Sequence, residues 1–437
     1  MTQLRDDDAC ACEEYNALSR RQFVTGAAGA AFALTGFPDW LPKVVLAQNY
    51  ASNRDVIVSV FLRGGADGLS LCVPFGDANY YAGRPTIAIP RPDSSSANRA
   101  TALDDFFGLP PAMTGLVPAY RAGHLLVAHA TGQTNSSRSH FDAQRYMEVG
   151  KAADPTIFTG WLGRHLASVP PLRTDAPLRA LGFSAGIQKT LVGAPKTLPI
   201  PDPANFNLGG SSATRDARAA FLRADYADDV DVVRAAALDA VNTVSLLQLV
   251  NVNAYRPANG ATYPNSAFGR ALRSTAALIK ADVGIEAAQI DVGGWDTHSL
   301  QNPINGSMFR TMQDLSNALG AFWADVMSAG GAVGNVVVIA MSEFGRNARE
   351  NGAQGTDHGR GSAMFAMGPG INGGRVLVNG WPGLAREQLE IGQDLKVTLD
   401  YRDVLAEIVR TRLGNTQVGY VFPDFTPTPR GVAKAFA

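Results

Sequence analysis

The sequence predicts an α/β fold: a mainly parallel, doubly wound sheet flanked by helices, forming a single domain with loop insertions. Three observations predict it. Short β-branched apolar runs alternate with longer helical patterns along the chain. The strongest of those runs each end in a cluster of glycine and polar residues. Finally, 437 residues with 46% hydrophobic content are enough to bury one large core. In open sheets of this class, ligands bind beyond the carboxyl ends of the strands, so one site assembled from distant segments is expected.

Taken in order, the first element is Asp55 to Leu62, an apolar run that breaks at Arg63-Gly64-Gly65-Ala66-Asp67-Gly68. It reads as a buried strand entering a tight glycine loop with a carboxylate at its end. Leu125 to Ala130 is a second strand, followed by a polar stretch from Thr131 to Ser139 and a helical pattern from His140 to Val149. Helical patterns also cover Ala213 to Val250, which is long enough for more than one helix, Ser266 to Ala281 and Ser307 to Met327. A third strand, Ala288 to Val292, runs into Gly293-Gly294-Trp295-Asp296-Thr297-His298. A fourth, Asn335 to Met341, runs into Ser342-Glu343-Phe344-Gly345-Arg346. Ala363 to Met367, between glycines, reads as another core strand, and Tyr401 to Arg412 as a terminal helix. Pro195 to Ser212 is Gly/Pro-rich and is expected to be a surface excursion within the domain. The chain has no fixed-period repeat.

Charge narrows the function classes. Lys and Arg total 38 against 39 Asp and Glu, a formal net charge of −1, so nothing marks a footprint for a nucleic-acid backbone. At the N-terminus, Ser19-Arg20-Arg21-Gln22-Phe23-Val24 precedes a Gly/Ala-rich apolar stretch from Gly26 to Phe37, then Pro38 and Val45-Leu46-Ala47. The pattern resembles a twin-arginine export signal with cleavage before Gln48. Residues 1–47 are therefore expected to be a signal peptide read by the twin-arginine translocase, and 48–437 the mature periplasmic domain. The apolar stretch is far shorter than the ~20 residues of a bilayer span, so no stable membrane anchor is expected. Cleavage would remove Cys10 and Cys12, leaving Cys72 with no disulfide partner.

Chemistry gathers at the strand ends. Asp296 and His298 flank one residue, and in an extended segment positions i and i+2 point the same way, so both can meet one ion. Asp357-His358-Gly359 forms a second such pair in a loop of small residues, and Asp67 and Glu343 add two carboxylates. Four carboxylates brought together without cations would repel one another and destabilise the fold; a divalent metal is the natural neutraliser.

Arg138-Ser139-His140-Phe141, Gly293-Gly294-Trp295-Asp296-Thr297-His298, Ser342-Glu343-Phe344-Gly345-Arg346 and Thr356-Asp357-His358-Gly359 together resemble an exported domain-of-unknown-function family of the alkaline phosphatase and sulfatase superfamily. The resemblance covers roughly Asp55 to Gly414. It implies an exported metal-dependent hydrolase of phosphate or sulfate esters, acting on a small anionic ester with one or two divalent ions (Zn, Ca, Mg or Mn). It implies further that Asp296, His298 and His358 bind one ion, and that Asp67 and Glu343 bind a second bridged by the nucleophile. The superfamily usually has Asp-His at the second position, where this chain has Glu343-Phe344; Asp357-His358 is the alternative source of that pair. A weaker second site, or one suited to Ca²⁺ or Mg²⁺, is the consequence.

Ser139 opens a helix, where backbone N–H groups and the helix dipole would favour an attacking alkoxide and an anionic group. Thr134 and Ser136 are rival hydroxyls, and helix capping is the simpler role for Ser139. Arg138 would clamp the anion, and His140 would donate a proton to the leaving group or to an oxygen on the ion. His124, His129 and His165 sit within strand or helix patterns and are expected to be packing or surface residues. Two other readings compete at this level. One is an exported binding or scaffold protein that kept the fold without the chemistry. The other is a serine esterase using Ser184 in Gly182-Phe183-Ser184-Ala185-Gly186, which matches the G-x-S-x-G elbow but leaves little room for the helix that must follow.

Overall fold

The computed structural model describes residues 54–226, 232–329 and 335–436. The proposed signal segment, 1–47, lies outside the described residues. Eleven strands are found among those described: β1 (Val56–Leu62), β2 (Thr101–Ala102), β3 (Gly108–Leu109), β4 (Leu125–Gly132), β5 (Ala180–Gly182), β6 (Thr197–Pro199), β7 (Ala287–Val292), β8 (Val336–Ser342), β9 (Ser362–Met367), β10 (Arg375–Leu377) and β11 (Leu399–Asp400). The longer helices are α1 (His140–Val149), α2 (Arg215–Asp225), α3 (Val232–Val250), α4 (Ala267–Lys280), α5 (Ser307–Phe322) and α6 (Tyr401–Thr411). β2 and β3 form a small antiparallel pair; the other nine strands make one sheet in the order β10-β4-β9-β8-β1-β7-β5-β6, with β11 beside β4.

β1 sits mid-sheet because its sequence can be buried on both faces. Ile57, Val58, Val60, Phe61 and Leu62 are all fully buried, each large side chain contributing roughly 1.5–3 kcal/mol. The period of two splits them: Val58, Val60 and Leu62 pack with α4 and α5 on one face, Ile57 and Phe61 with α1 and α6 on the other. Helices on both faces of a mainly parallel sheet are the doubly wound arrangement the alternation of elements predicted. β1 pairs in parallel with β7 and β8, and the parallel set continues through β5 and β6.

β9 departs from that pattern. It runs antiparallel to both β8 and β4, so its N-terminal end lies at the edge where the other strands end. A symmetric apolar run such as Ala363 to Met367 carries no directional signal, but reversal has a consequence: the loop before β9, which carries Asp357 and His358, is delivered to the carboxyl edge.

Several sequence expectations need correction. Pro195 to Ser212 is not all excursion, since β6 lies within it and pairs with β5 at the sheet's margin. The long α5 ends in a π-helical turn, Trp323–Met327, rather than continuing as α-helix. Ser184 does not sit on a nucleophile elbow: after β5 the chain makes bends, then a short 3₁₀ turn at Lys189–Leu191, with no helix to carry the serine. Among the described residues no helix is long and apolar enough to cross a membrane.

Candidate metal centre

Four parallel strands deliver loops to one edge: β1 ends before Gly64, β4 before the 133–139 loop, β7 before Asp296, and β8 before Glu343. Close backbone approach lets these loops meet. Gly64 has φ +122°, and a Cβ there would lie 2.7 Å from the Asp296 nitrogen. Glycine is thus required both for conformation and for space. On the other side of the site, a Cβ on Gly355 would be 2.3 Å from the His298 carbonyl.

Three imidazoles and one carboxylate converge. His298 Nε2 lies 3.1 Å from both Asp296 Oδ1 and His358 Nε2, and His358 Nε2 is 3.2 Å from the same Oδ1. His140 Nε2 is 3.5 Å from Asp296 Oδ2 and has no hydrogen-bond partner although that atom is buried. His140, Asp296 and His358 each offer a ligand atom within 4.8 Å of the others. Phe344 lies beneath: its ring stacks on His140 with centroids 5.0 Å apart and tilts against His358 at 5.0 Å. Phe344 is thus a packing surface for two of the imidazoles rather than a ligand.

The outer nitrogens explain why the inner ones converge. His358 Nδ1 meets the Arg138 carbonyl at 2.9 Å, His298 Nδ1 meets Asp357 Oδ1 at 2.8 Å, and His140 Nδ1 meets Glu343 Oε1 at 2.8 Å. A carbonyl can only accept. The two carboxylates are also ionised acceptors. The His298 hydrogen bond, assisted by Asn351 and opposed by slight burial, keeps Asp357 below its usual pKa. For Glu343 burial opposes ionisation, but hydrogen bonds from His140, Gln144 and the Gly64 amide outweigh it. Each outer partner is an acceptor that suits an Nδ1–H, the tautomer that turns Nε2 toward the cluster as a ligand atom. Carboxylate or carbonyl partners on the outer nitrogen are the usual support of metal-ligating histidines.

Asp296 is held from behind by Arg346, whose guanidinium is fully buried and also donates to the Gly64, Gly65, Trp295 and Thr356 carbonyls. Partial burial raises the cost of charge on Asp296, yet Arg346 and His358 prevail and hold its pKa at about 2. Arg346 appeared in the sequence only as part of a motif; its role as the clasp of this edge was not assigned.

Three of the expected ligand residues are engaged elsewhere. Asp67, expected at a second ion, is sealed in a buried ion pair: Arg84 reaches its oxygens at 2.5 and 2.9 Å, with Ser70 at 2.6 Å and Gln301 at 2.7 Å. Burial works against that charge, but Arg84 more than offsets it, so the carboxyl is held below its ordinary range. Gln301 accepts from Thr297 and Thr356, tying Asp67 to both ligand-bearing loops. Glu343 is likewise tied into hydrogen bonds: Gly64 N, Gln144 Nε2 and His140 Nδ1 meet Oε1, and Oε2 faces Ser342 Oγ, which also donates to the Leu62 carbonyl. Asp357 orients His298 from outside the cluster.

Among the expected catalytic residues, Arg138 ion-pairs with Asp394 rather than standing free to clamp an anion, and what it gives the site is its carbonyl. Ser139 is the N-cap of α1, its Oγ receiving the Asp142 amide at 3.5 Å, and it is exposed; Thr134 and Ser136 are also exposed. His140 supplies an inward Nε2 where a proton donor was expected.

The family model described as "Protein of unknown function (DUF1501)" matches residues 54–402. No curated protein matches the chain. Among solved structures, the alkaline phosphatase from the Antarctic bacterium TAB5 is 11% identical, with 73% of this chain and 93% of that chain covered and a TM-score of 0.30. A mutant of that TAB5 enzyme with magnesium bound is 13% identical, with 72% and 92% covered and the same TM-score of 0.30.

Proposed function

The chain belongs to the DUF1501 family of proteins of unknown function, and from that premise we propose that it is an exported metal-dependent hydrolase of phosphate or sulfate esters. One observation carries the reading: the Nε2 atoms of His298 and His358 and the Asp296 carboxylate lie 3.1–3.2 Å apart, with each Nδ1 held by an outer acceptor. In the tautomer those acceptors favour, the two Nε2 lone pairs face one another, and a cation between them relieves the repulsion. The donor chemistry fits a divalent ion, since imidazole and carboxylate are the usual ligands of zinc and its neighbours.

When bound, such an ion would supply Lewis-acid stabilisation to the charge that develops on an ester's non-bridging oxygens. The chain's own residues do the rest. Asp296 is fixed by Arg346, and Phe344 packs against the imidazoles of His140 and His358. Ser139, placed in sequence between the residue whose carbonyl anchors His358 and the inward-facing His140, is the hydroxyl proposed to attack. The partner is a small anionic ester, the twin-arginine-like segment supports export to the periplasm, and the translocase is the partner during export.

The test is turnover of aryl phosphate and aryl sulfate esters by the purified full chain before and after chelation. Asp296→Ala and His358→Ala are expected to lose both metal and turnover. Ser139→Ala is expected to lose turnover while keeping metal, which separates an attacking hydroxyl from a capping one. Full turnover in a chelated sample would sink the reading, and a metal-loaded chain inert on both ester classes would favour a binding protein instead.

A further inference from the structure

We infer that the centre is built for a single imidazole-preferring transition ion, with His140 as its fourth ligand, and not for the pair of ions that the resemblance implied. The inference rests on the metal-dependent reading above and narrows it.

Distance argues first. Tetrahedral ligands at the ~2.0–2.1 Å of Zn–N bonds stand about 3.3 Å apart. The three contacts among His298, His358 and Asp296 Oδ1 are 3.1–3.2 Å, and His140 Nε2 to Asp296 Oδ2 is 3.5 Å. The first three match one such edge, and His140 shares a common reach with Asp296 and His358, their ligand atoms all within 4.8 Å, so that it can close on the same ion. His140 then explains itself: its buried Nε2 has no hydrogen-bond partner, an arrangement that a ligand bond would relieve.

Donor availability argues next. A second ion would need Asp67 and Glu343. Both oxygens of Asp67 are taken by Arg84, which brings its own positive charge to the place a cation would occupy. At Glu343 the Gly64 amide, Gln144 and His140 all converge on Oε1, and Oε2 faces Ser342 Oγ, whose single proton is shared with the Leu62 carbonyl at 2.6 Å. Gln144 is itself held by Arg63 at 3.2 Å, and Arg63 by Glu148 at 2.7 Å, so the arrangement around Glu343 is braced from behind. Asp394 is committed to Arg138.

Ligand type argues last. Three imidazoles and one carboxylate suit zinc, cobalt, iron or copper, whereas calcium and magnesium take oxygen donors and, for calcium, six to eight of them. The outer carboxylates of Glu343 and Asp357 strengthen this preference by raising the basicity of His140 and His298 as ligands.

The experiment is equilibrium dialysis of the chelator-stripped full chain against Zn²⁺, Co²⁺, Mg²⁺ and Ca²⁺ separately, with bound metal counted by mass spectrometry and Co²⁺ geometry read from its visible absorption. One Zn²⁺ or Co²⁺ per chain is expected, with an intense four-coordinate Co²⁺ spectrum and no displacement by millimolar Mg²⁺ or Ca²⁺. His140→Gln is expected to weaken Zn²⁺ binding by more than the roughly 10–100-fold typical of losing an outer hydrogen-bond partner, and to change the Co²⁺ spectrum. The wild-type count does not depend on that variant folding. Two ions per chain, a preference for Mg²⁺ or Ca²⁺, or an unchanged spectrum in a folded His140→Gln would overturn the inference while leaving a metal-dependent hydrolase standing. A chain that binds no ion and turns over no ester would overturn both.

Discussion

At the residue scale, what distinguishes a ligand from its support is which atom has nothing else to bond. Glu343 and His140 are both at the edge, but Glu343 Oε1 alone takes three donors while His140 Nε2 has no hydrogen-bond partner. Glu343→Gln is therefore expected to keep the fold and one bound ion yet weaken metal binding roughly 10–100-fold, because the amide cannot serve His140, Gln144 and Gly64 alike as an ionised carboxylate does; metal titration checks it. An unchanged affinity would remove Glu343 from the support. Asp296, His298 and His358 were legible in the sequence because strand-end loops carry short-range spacings of ligand types. The exchange of roles between His140 and Glu343 was not legible, since both types ligate metals and only the path of α1 decides which one faces inward. Asp67 misled for a similar reason: its partner Arg84 lies 17 residues on, in a stretch that carries no motif.

At the element scale, loops of different strands are locked together by buried polar pairs. Asp67 caps the short helix Gly68–Leu71, binds Arg84, and through Gln301 holds the loops of Thr297 and Thr356. Arg84→Met alone leaves a buried carboxylate without its cation and is expected to cost about 3–5 kcal/mol of stability. The double substitution Asp67→Leu with Arg84→Met is expected to recover much of that loss; urea midpoints of the three chains check it. A single variant as stable as wild type would contradict the role given to the pair. Gly64→Ala is also expected to destabilise, since its φ of +122° disfavours a side chain and the new Cβ would meet Asp296 N at 2.7 Å. Long apolar runs revealed β1, β4, β7 and β8 to within a residue or two. The three-residue strands β5, β6 and β10 offer too few positions for a period, and the reversal of β9 could not be read because an apolar run looks alike from either end.

At the scale of the whole molecule, two histidines far from the centre set an acid limit. Burial lowers His129 to a pKa of about 4, where its Nδ1 accepts from the Ala130 amide and its Nε2 donates to the Cys72 carbonyl. His165 is lowered by burial to about 3, with Arg54 and Arg179 adding to the shift. Above about pH 6.5 both are neutral folded and unfolded alike, so they add no pH dependence. Below it the unfolded chain takes up protons that the folded chain refuses, so stability falls as pH drops from about 6.5 toward 3–4. Melting temperatures across that range are expected to decline, and His165→Gln to decline less steeply; parallel slopes would count against the assignment. The centre itself joins loops from β1, β4, β7, β8 and the approach to β9, so only the complete sheet brings His140, Asp296, His298 and His358 together. Crystals of the metal-loaded protein, with diffraction collected on both sides of the zinc absorption edge, test this most directly. One anomalous peak within bonding distance of the three Nε2 atoms and the Asp296 carboxylate is expected; a peak between Asp67 and Glu343, or none at the imidazoles, would contradict it.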